Sequence, residues 1–341
     1  MDLYERIADL PVSVESVEFE RRERETTKFT RATTVVSLRG DGETGVGEDV
    51  TYDADLHPIP DRDFGLDGEY AFGEFSRELA DREFFPDADP DDHFRHYRRW
   101  AFESAALDLA LRQADTDLGA ELGREYDPVR FVASPPLGDP PSAAALDRFR
   151  ERTPDVEFKL DADDGWTPDL VADLADAGVR VVDFKAHYED SEVAGSADPD
   201  LYRRVVEAFP DAVLEDPAWT DGTRDALADA RERVSWDYPI TGVESVRDLP
   251  FEPEWLNVKP SRFGSVESLF ETVEYCEQRG VRMYGGGQFE LDAGRRQIQL
   301  LASLFYPDAP NDVAPGAYND PDPSADLPPS PLSISDVRGF R

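Results

Sequence analysis

The sequence predicts an α/β protein in which a parallel β/α barrel follows a smaller N-terminal α+β part. Three observations predict it. Residues 11–52 read as a meander of strands, residues 70–123 read as helices, and from about 126 short apolar runs alternate with amphipathic segments for almost 200 residues. Seven strand-helix units in series favour a barrel over an open parallel sheet, the alternative that the pattern leaves standing.

The N-terminal strands are VSVESVEFERR, TRATTVVSLRG and VGEDVTY, with DGETG as the turn before the last. Between the first two lies RERETTKFTR, a polar stretch that carries Lys28. In FESAALDLALRQADTDLGAELG, residues Phe102, Ala105, Ala106, Leu109 and Ala110 recur at helical spacing, and Gly119 and Gly123 punctuate the end. The seven runs are VRFVAS (129–134), VEFKLD (156–161), VRVVDFKA (179–186), AVLEDPA (212–218), VSWDYPI (234–240), WLNVKPS (255–261) and VRMYGGGQ (281–288). Segments such as TPDLVADLADAG and GSVESLFETVEYCEQRG separate them; in the latter Val266, Leu269, Phe270, Val273 and Cys276 form one apolar stripe. The proline-rich tail DPDPSADLPPSPLSISDVRGFR is expected to run extended over the surface. These boundaries divide the chain into a domain at 1–125, with 320–341 packed on it, and a barrel at 126–319.

Composition narrows the function. The 75 acidic residues against 36 basic ones give a net charge of -39 over 341 residues. Such self-repulsion is tolerable where salt screens it, with a Debye length of about 3 Å at 1 M, so a salt-loving cell is expected. No basic face is visible for nucleic acid or anionic membrane, and both are disfavoured as partners. The single cysteine, Cys276, excludes an intramolecular disulfide and suits a reducing interior. The start MDLYERIADLP lacks the regions of a signal peptide, and no apolar run approaches the roughly 18 residues of a membrane span, so a cytoplasmic protein is expected.

Against this acidity, lysine is nearly absent: four lysines stand beside 32 arginines. Three of the four, Lys159, Lys185 and Lys259, fall at ends of the barrel runs, where a β/α barrel places its chemistry. Arginine would supply a fixed positive charge, but only lysine can be tuned to exchange a proton. Lowering it from about 10.4 to the 7–8 useful in a base takes roughly 4 kcal/mol, which a neighbouring cation or metal can supply. The same run ends carry Asp161, Asp183, Glu215 and Asp237. Asp183, Glu215 and Asp237 are separated by 32 and 22 residues, about one unit each. Three oxygen ligands without histidine or cysteine suit Mg²⁺ before Zn²⁺. Glu244, beyond the turn after the fifth run, is the reserve ligand. His187 reads as a hydrogen-bonded bystander. Gly285 to Gly287 fit either a phosphate cradle or close packing, and Gln288 and Glu290 just beyond are candidates for contact with substrate.

These motifs resemble the enolase superfamily, in the mandelate racemase/muconate lactonizing enzyme family that includes o-succinylbenzoate synthases and dipeptide epimerases. The likeness covers nearly the whole chain. GETGVGED is similar to the family's capping domain, FKLD to its second-strand lysine motif, LEDP to its Glu-x-Pro, and NVKPSRFGS to its sixth-strand lysine motif. The chain departs from the pattern at three places. The family's Lys-x-Lys is Lys159-x-Asp161 here, its Asp-Glu-Ser is Asp237-Tyr238-Pro239, and its Asp-x-Asn is Asp183-Phe184-Lys185. The resemblance implies a modified TIM barrel with a capping domain, in a divergent member of haloarchaeal type. It further implies Mg²⁺, a small carboxylate substrate, a homo-oligomer, and removal of a proton α to the carboxylate through an enediolate. Lys159 and Lys259 would form the acid/base pair, and Lys28 would sit in a loop closing over substrate. Racemisation, cycloisomerisation and elimination share that first step. A Schiff-base lysine aldolase and a non-catalytic ligand-binding barrel are the alternative readings.

Overall fold

The N-terminal part begins with two antiparallel sheets. The computed structural model describes residues 2–57, 64–187, 195–323 and 326–341. β1 (Pro11–Val14) pairs with β5 (Gly68–Ala71), while β2 (Ser16–Glu25), β3 (Thr30–Gly40) and β4 (Glu43–Asp49) form a three-stranded sheet. Asp41 and Gly42, both at positive φ (49° and 77°), make the tight β3–β4 turn, a conformation that Asp-Gly adopts readily. The glycines of GETGVGED answer to a close approach. A Cβ on Gly45 would stand 2.2 Å from the Ala105 carbonyl, and one on Gly47 would stand 2.0 Å from that of Ala101. β4 therefore lies flush on the helix Asp92–Gln113.

That helix is longer at its start and shorter at its end than the sequence pattern suggested. It begins at Asp92, capped by the Asp91 carboxylate on the His93 amide, and stops at Gln113; Leu118–Leu122 is a separate short helix. The break passes through Asp115, whose φ of 54° no helix interior accommodates.

The C-terminal part is a curled, seven-stranded parallel sheet in chain order: β6 (Val132–Ala133), β7 (Glu157–Asp161), β8 (Val179–Asp183), β9 (Val213–Glu215), β10 (Val234–Trp236), β11 (Trp255–Val258) and β12 (Arg282–Gly285). The strands are two to five residues long, shorter than the apolar runs that contain them, because several runs continue into the loops at the C-terminal edge. Alternation sorts the side chains. Leu160, Val182 and Leu214 join the main core beneath the helices, whereas Val181, Val213 and Tyr284 form a small cluster on the concave side. One segment touches both sheet edges: Asn311 bridges Phe131 beside β6, and Asp312 bridges Gly286 beside β12.

The two parts are fastened by buried polar contacts. Glu48, at the end of β4 and 1% exposed, accepts the amides of Leu291, Asp292 and Gly294 at 2.6, 3.0 and 3.0 Å. It thereby satisfies the amino end of the helix Ala293–Phe305. The tail follows both parts: Leu332 bridges Val129 and Ser330 bonds Phe131, while Gly339 bridges Asp117 and the Phe340 amide reaches Asp108. Among the described residues no helix is long and apolar enough to cross a membrane. Glu48→Ala leaves four donors, the three amides and the Thr33 hydroxyl, without their acceptor. It is expected to lower unfolding free energy by about 3 kcal/mol, read from denaturant titration, and a loss below about 0.5 kcal/mol would show that water replaces the carboxylate.

Candidate active site

Strand register assembles the charged groups. Asp161, Asp183 and Glu215 are Cα partners across β7, β8 and β9, so their carboxylates arrive at one level. Asp237 and Lys259 follow directly after β10 and β11. Lys159 stands two residues before Asp161 on the same strand and therefore points to the same face one layer deeper. Its Nζ lies 2.6 Å from Glu215 Oε1 and 3.5 Å from both Asp183 Oδ2 and Asp312 Oδ2. Lys185 Nζ lies 2.8 Å from Asp183 and 3.3 Å from Asp161, and Lys28 Nζ reaches Asp161 at 2.7 Å. Lys259 Nζ and an Arg262 nitrogen each lie 2.8 Å from Asp237. All four lysines of the chain thus end in one network.

The sequence reading missed several members of that network. Tyr284 donates to Glu215 Oε2 at 2.6 Å and contacts Ser235 at 3.0 Å; Asn257 donates to Glu215 Oε1 at 3.2 Å. Asp216 accepts the amides of Asp237 and Tyr238, both at 2.8 Å. Asn257 and Tyr284 sit in apolar runs with the inward parity of a strand, which was the available signal. Asp312 follows no such run and had none. Glu244, in contrast, lies on the surface paired to Arg247, 82% exposed and outside the network. It is not a reserve ligand, because it belongs to the short helix Val243–Arg247 beyond the strand end. His187 packs edge-on against Trp236.

Burial and pairing pull these groups in opposite directions. Burial disfavours the Lys159 charge, yet Glu215, Asp183 and Asp312 hold its pKa well above the ordinary lysine value. Burial raises Glu215 to about 7 against the pull of Lys159, with the Asp183 and Asp237 carboxylates adding to the rise. Burial likewise opposes ionisation of Asp183, Asp237 and Asp161. Lys185 and Lys159 hold Asp183 below the usual carboxylate range, Arg262 and Lys259 hold Asp237 there, and Lys185 and Lys28 do so for Asp161. Asp216, buried among Asp237, Asp183 and Glu215, is pushed well above it.

A lid and a glycine loop complete the opening. Lys28 projects from the turn between β2 and β3, and Arg31 behind it bonds the carbonyls of Thr51, Gln288 and Phe289. Phe29 packs edge-on against Phe289 at 5.2 Å. Gln288 bonds Tyr52 and Tyr97, and Glu290 accepts the Gln288 amide and pairs with Arg295. Both shape the lid seat and stand apart from the lysine network. The triple glycine answers to close packing: a Cβ on Gly286 would lie 2.4 Å from Asn257 Oδ1 and 2.8 Å from Lys259 Cε. A surface cavity of about 320 Å³ lined by Thr27, Gly138 and Arg148 lies beside the β2–β3 turn and does not include the lysines.

The expected Mg²⁺ would need free oxygens on Asp183, Glu215 and Asp237. All six oxygens of Asp183, Glu215 and Asp237 accept a hydrogen bond from the protein: Asp183 from the Lys185 amide and Nζ, Glu215 from Lys159, Asn257 and Tyr284, and Asp237 from Arg262 and Lys259. Among the described residues no three acidic, histidine or cysteine side chains converge as a metal cage. The carboxylates line up at the expected strand ends, but in this arrangement they do not fit a divalent ion.

Two family models match the chain: the N-terminal domain of the domain of unknown function DUF8230 over residues 5–121, and its C-terminal domain over 125–320. The chain belongs to the DUF8230 family. No curated protein matches this DUF8230 chain in sequence. Solved structures share its fold at low identity. A mandelate racemase/muconate lactonizing protein from Herpetosiphon aurantiacus superposes with a TM-score of 0.67 at 15% identity over 89% of this chain and 90% of that one. Muconate cycloisomerase from Pseudomonas fluorescens gives 0.64 at 16% over 89% and 87%. A neighbour of the same racemase description from Roseovarius nubinhibens ISM, complexed with magnesium, gives 0.63 at 19% over 86% and 84%. The DUF8230 chain therefore carries the mandelate racemase/muconate lactonizing fold.

The Lys28–Asp161 pair is partly exposed, with side chains 24% and 32% accessible, so it is worth at most about 1 kcal/mol. Lys28→Ala is expected to leave the melting temperature nearly unchanged while the amides of 26–30 exchange faster with deuterated solvent. Unaltered exchange would show that the aromatic and Arg31 contacts alone hold the lid.

Proposed function

We propose that this protein is an acid–base enzyme that removes the proton α to the carboxylate of a small anionic substrate. The convergence of all four lysines on one acidic strand-end network carries the reading. In a chain otherwise almost without lysine, arginine would have served any need for fixed charge alone.

The roles follow from position. Lys259 exchanges the proton. Arg262 shares Asp237 with it, so when Lys259 is a neutral amine the carboxylate keeps a cationic partner and the network stays balanced. Lys159, the expected second member of the pair, is 2% exposed and tied to three carboxylates. On that side the lysine open to a ligand is Lys185, 21% exposed and anchored by Asp183 and Asp161. Its backbone is held at a φ of 49°, a conformation that costs a non-glycine residue about 1 kcal/mol or more. Lys185 and Lys28 then bind the substrate carboxylate, and their fixed charges meet the negative charge that develops as the α-proton leaves. No step passes through a metal. The sheet is read as a closed barrel, with Asn311 and Asp312 in the eighth position, capped by the domain at 1–125. The acidic surface is read as adaptation to a salt-rich interior.

A Schiff-base aldolase would need a neutral lysine nucleophile. The carboxylates around Lys159 keep it charged, so Lys159 is not that nucleophile, and borohydride trapping of a lysine adduct on Lys185 or Lys259 is the result that would favour the aldolase.

The reaction is tested with a panel of small carboxylates in deuterated water, following α-proton exchange by NMR. Lys259→Arg is expected to slow exchange by about 10² to 10⁴-fold with native folding intact. Exchange at the wild-type rate in that variant, or in Lys259→Ala, would remove Lys259 from the chemistry.

A further inference from the structure

We propose that protein cations take the place of a divalent metal in this site: the Lys159 ammonium stands between Glu215, Asp183 and Asp312, Lys185 holds Asp183, and the Lys259–Arg262 pair holds Asp237. This goes beyond the reaction proposed above and does not depend on it.

The argument is geometric. An ammonium carries three donors and no acceptor, and Lys159 faces three carboxylates, at 2.6, 3.5 and 3.5 Å. Mg²⁺ instead asks for near-octahedral oxygen ligands at about 2.0–2.1 Å. To supply them, Glu215 would have to release Lys159, and Asp183 would have to release both its contacts to Lys185. Asp237 would have to turn from Lys259 and Arg262.

Charge points the same way. At the mouth the carboxylates of Asp161, Asp183, Glu215, Asp237 and Asp312 are ion-paired with Lys28, Lys159, Lys185, Lys259 and Arg262, five against five in ion pairs among the described residues. A dication added beside a buried ammonium would raise the local charge in a region where water does not screen, and the sixth carboxyl group there, Asp216, already engages both oxygens with the Asp237 and Tyr238 amides. Lys185 is decisive, because it brings a cation onto Asp183 Oδ2 from the adjacent loop while its own amide takes Oδ1.

The test is binding of Mn²⁺, counted by the loss of its free-ion paramagnetic resonance signal in about 1 M KCl, where screening over about 3 Å suppresses sites on the acidic surface. An Asp183→Asn, Glu215→Gln double variant sets the surface background. Wild type is expected to bind no more Mn²⁺ than this control. Lys159→Met and Lys185→Asn, each of which frees carboxylate oxygens, are expected to gain one equivalent at least about a hundredfold tighter than wild type. If Lys159→Met does not fold, Lys185→Asn, which removes a partly exposed side chain, decides alone. One equivalent above control in wild type below about 1 mM overturns the proposal, as does a wild-type-like titration in Lys185→Asn. Because the readout is metal and not turnover, an inactive protein leaves this result interpretable, and failure of the reaction assignment is seen separately by proton exchange.

Discussion

The Lys159 ammonium, buried beneath Glu215, Asp183 and Asp312, is the interaction on which the C-terminal edge of the parallel sheet depends. Under it lies the dry layer of Val181 and Val213, and above it the opening. A charge placed there without partners would be untenable, and so would three carboxylates without a cation. The register of β7, β8 and β9, the inward parity of Asn257 and Tyr284, and the approach of the Asn311–Asp312 segment all serve to bring these groups within bonding distance. Removing one member leaves its partner buried and unpaired, which is why the network behaves as a unit.

The N-terminal part is organised around the same opening. Gly45 and Gly47 let β4 lie against the helix Asp92–Gln113, which fixes where β4 ends. There Glu48 seizes the amino end of the helix Ala293–Phe305, and Arg31 grips the Gln288 and Phe289 carbonyls. These two contacts set the lid over the glycine loop, and Lys28 reaches Asp161 as a consequence. Residues 133 positions apart in sequence thus meet because a glycine-lined strand could approach a helix.

Shared fold does not carry shared chemistry with it. The neighbours in structure include a protein complexed with magnesium, at 19% identity. At the corresponding strand ends this chain sets lysine beside each aspartate and satisfies the carboxylate oxygens internally. The exchange of partners between strands is visible in one pair: Asp161 stands on β7, and the lysine that meets it, Lys185, comes from the loop after β8.

Sequence by itself determined much of this. The order of strand and helix units followed from local periodicity, because an apolar run bounded by polar residues has few ways to bury itself. The strand-end carboxylates and three of the lysines were legible because their spacing matched one unit each. The fit of the triple glycine and the place of Glu244 were not. A glycine reports close approach without saying to what, and Glu244 differs from Asp237 only in lying in the helix beyond the turn instead of directly after the strand. What the tertiary structure alone decided is pairing. Which oxygen meets which cation depends on the register across five strands and on a segment, Asn311–Asp312, with no periodic signal of its own. An acidic residue in a chain with 75 of them looks the same in sequence whether it faces water, a metal or a lysine; only the distances around it tell these apart.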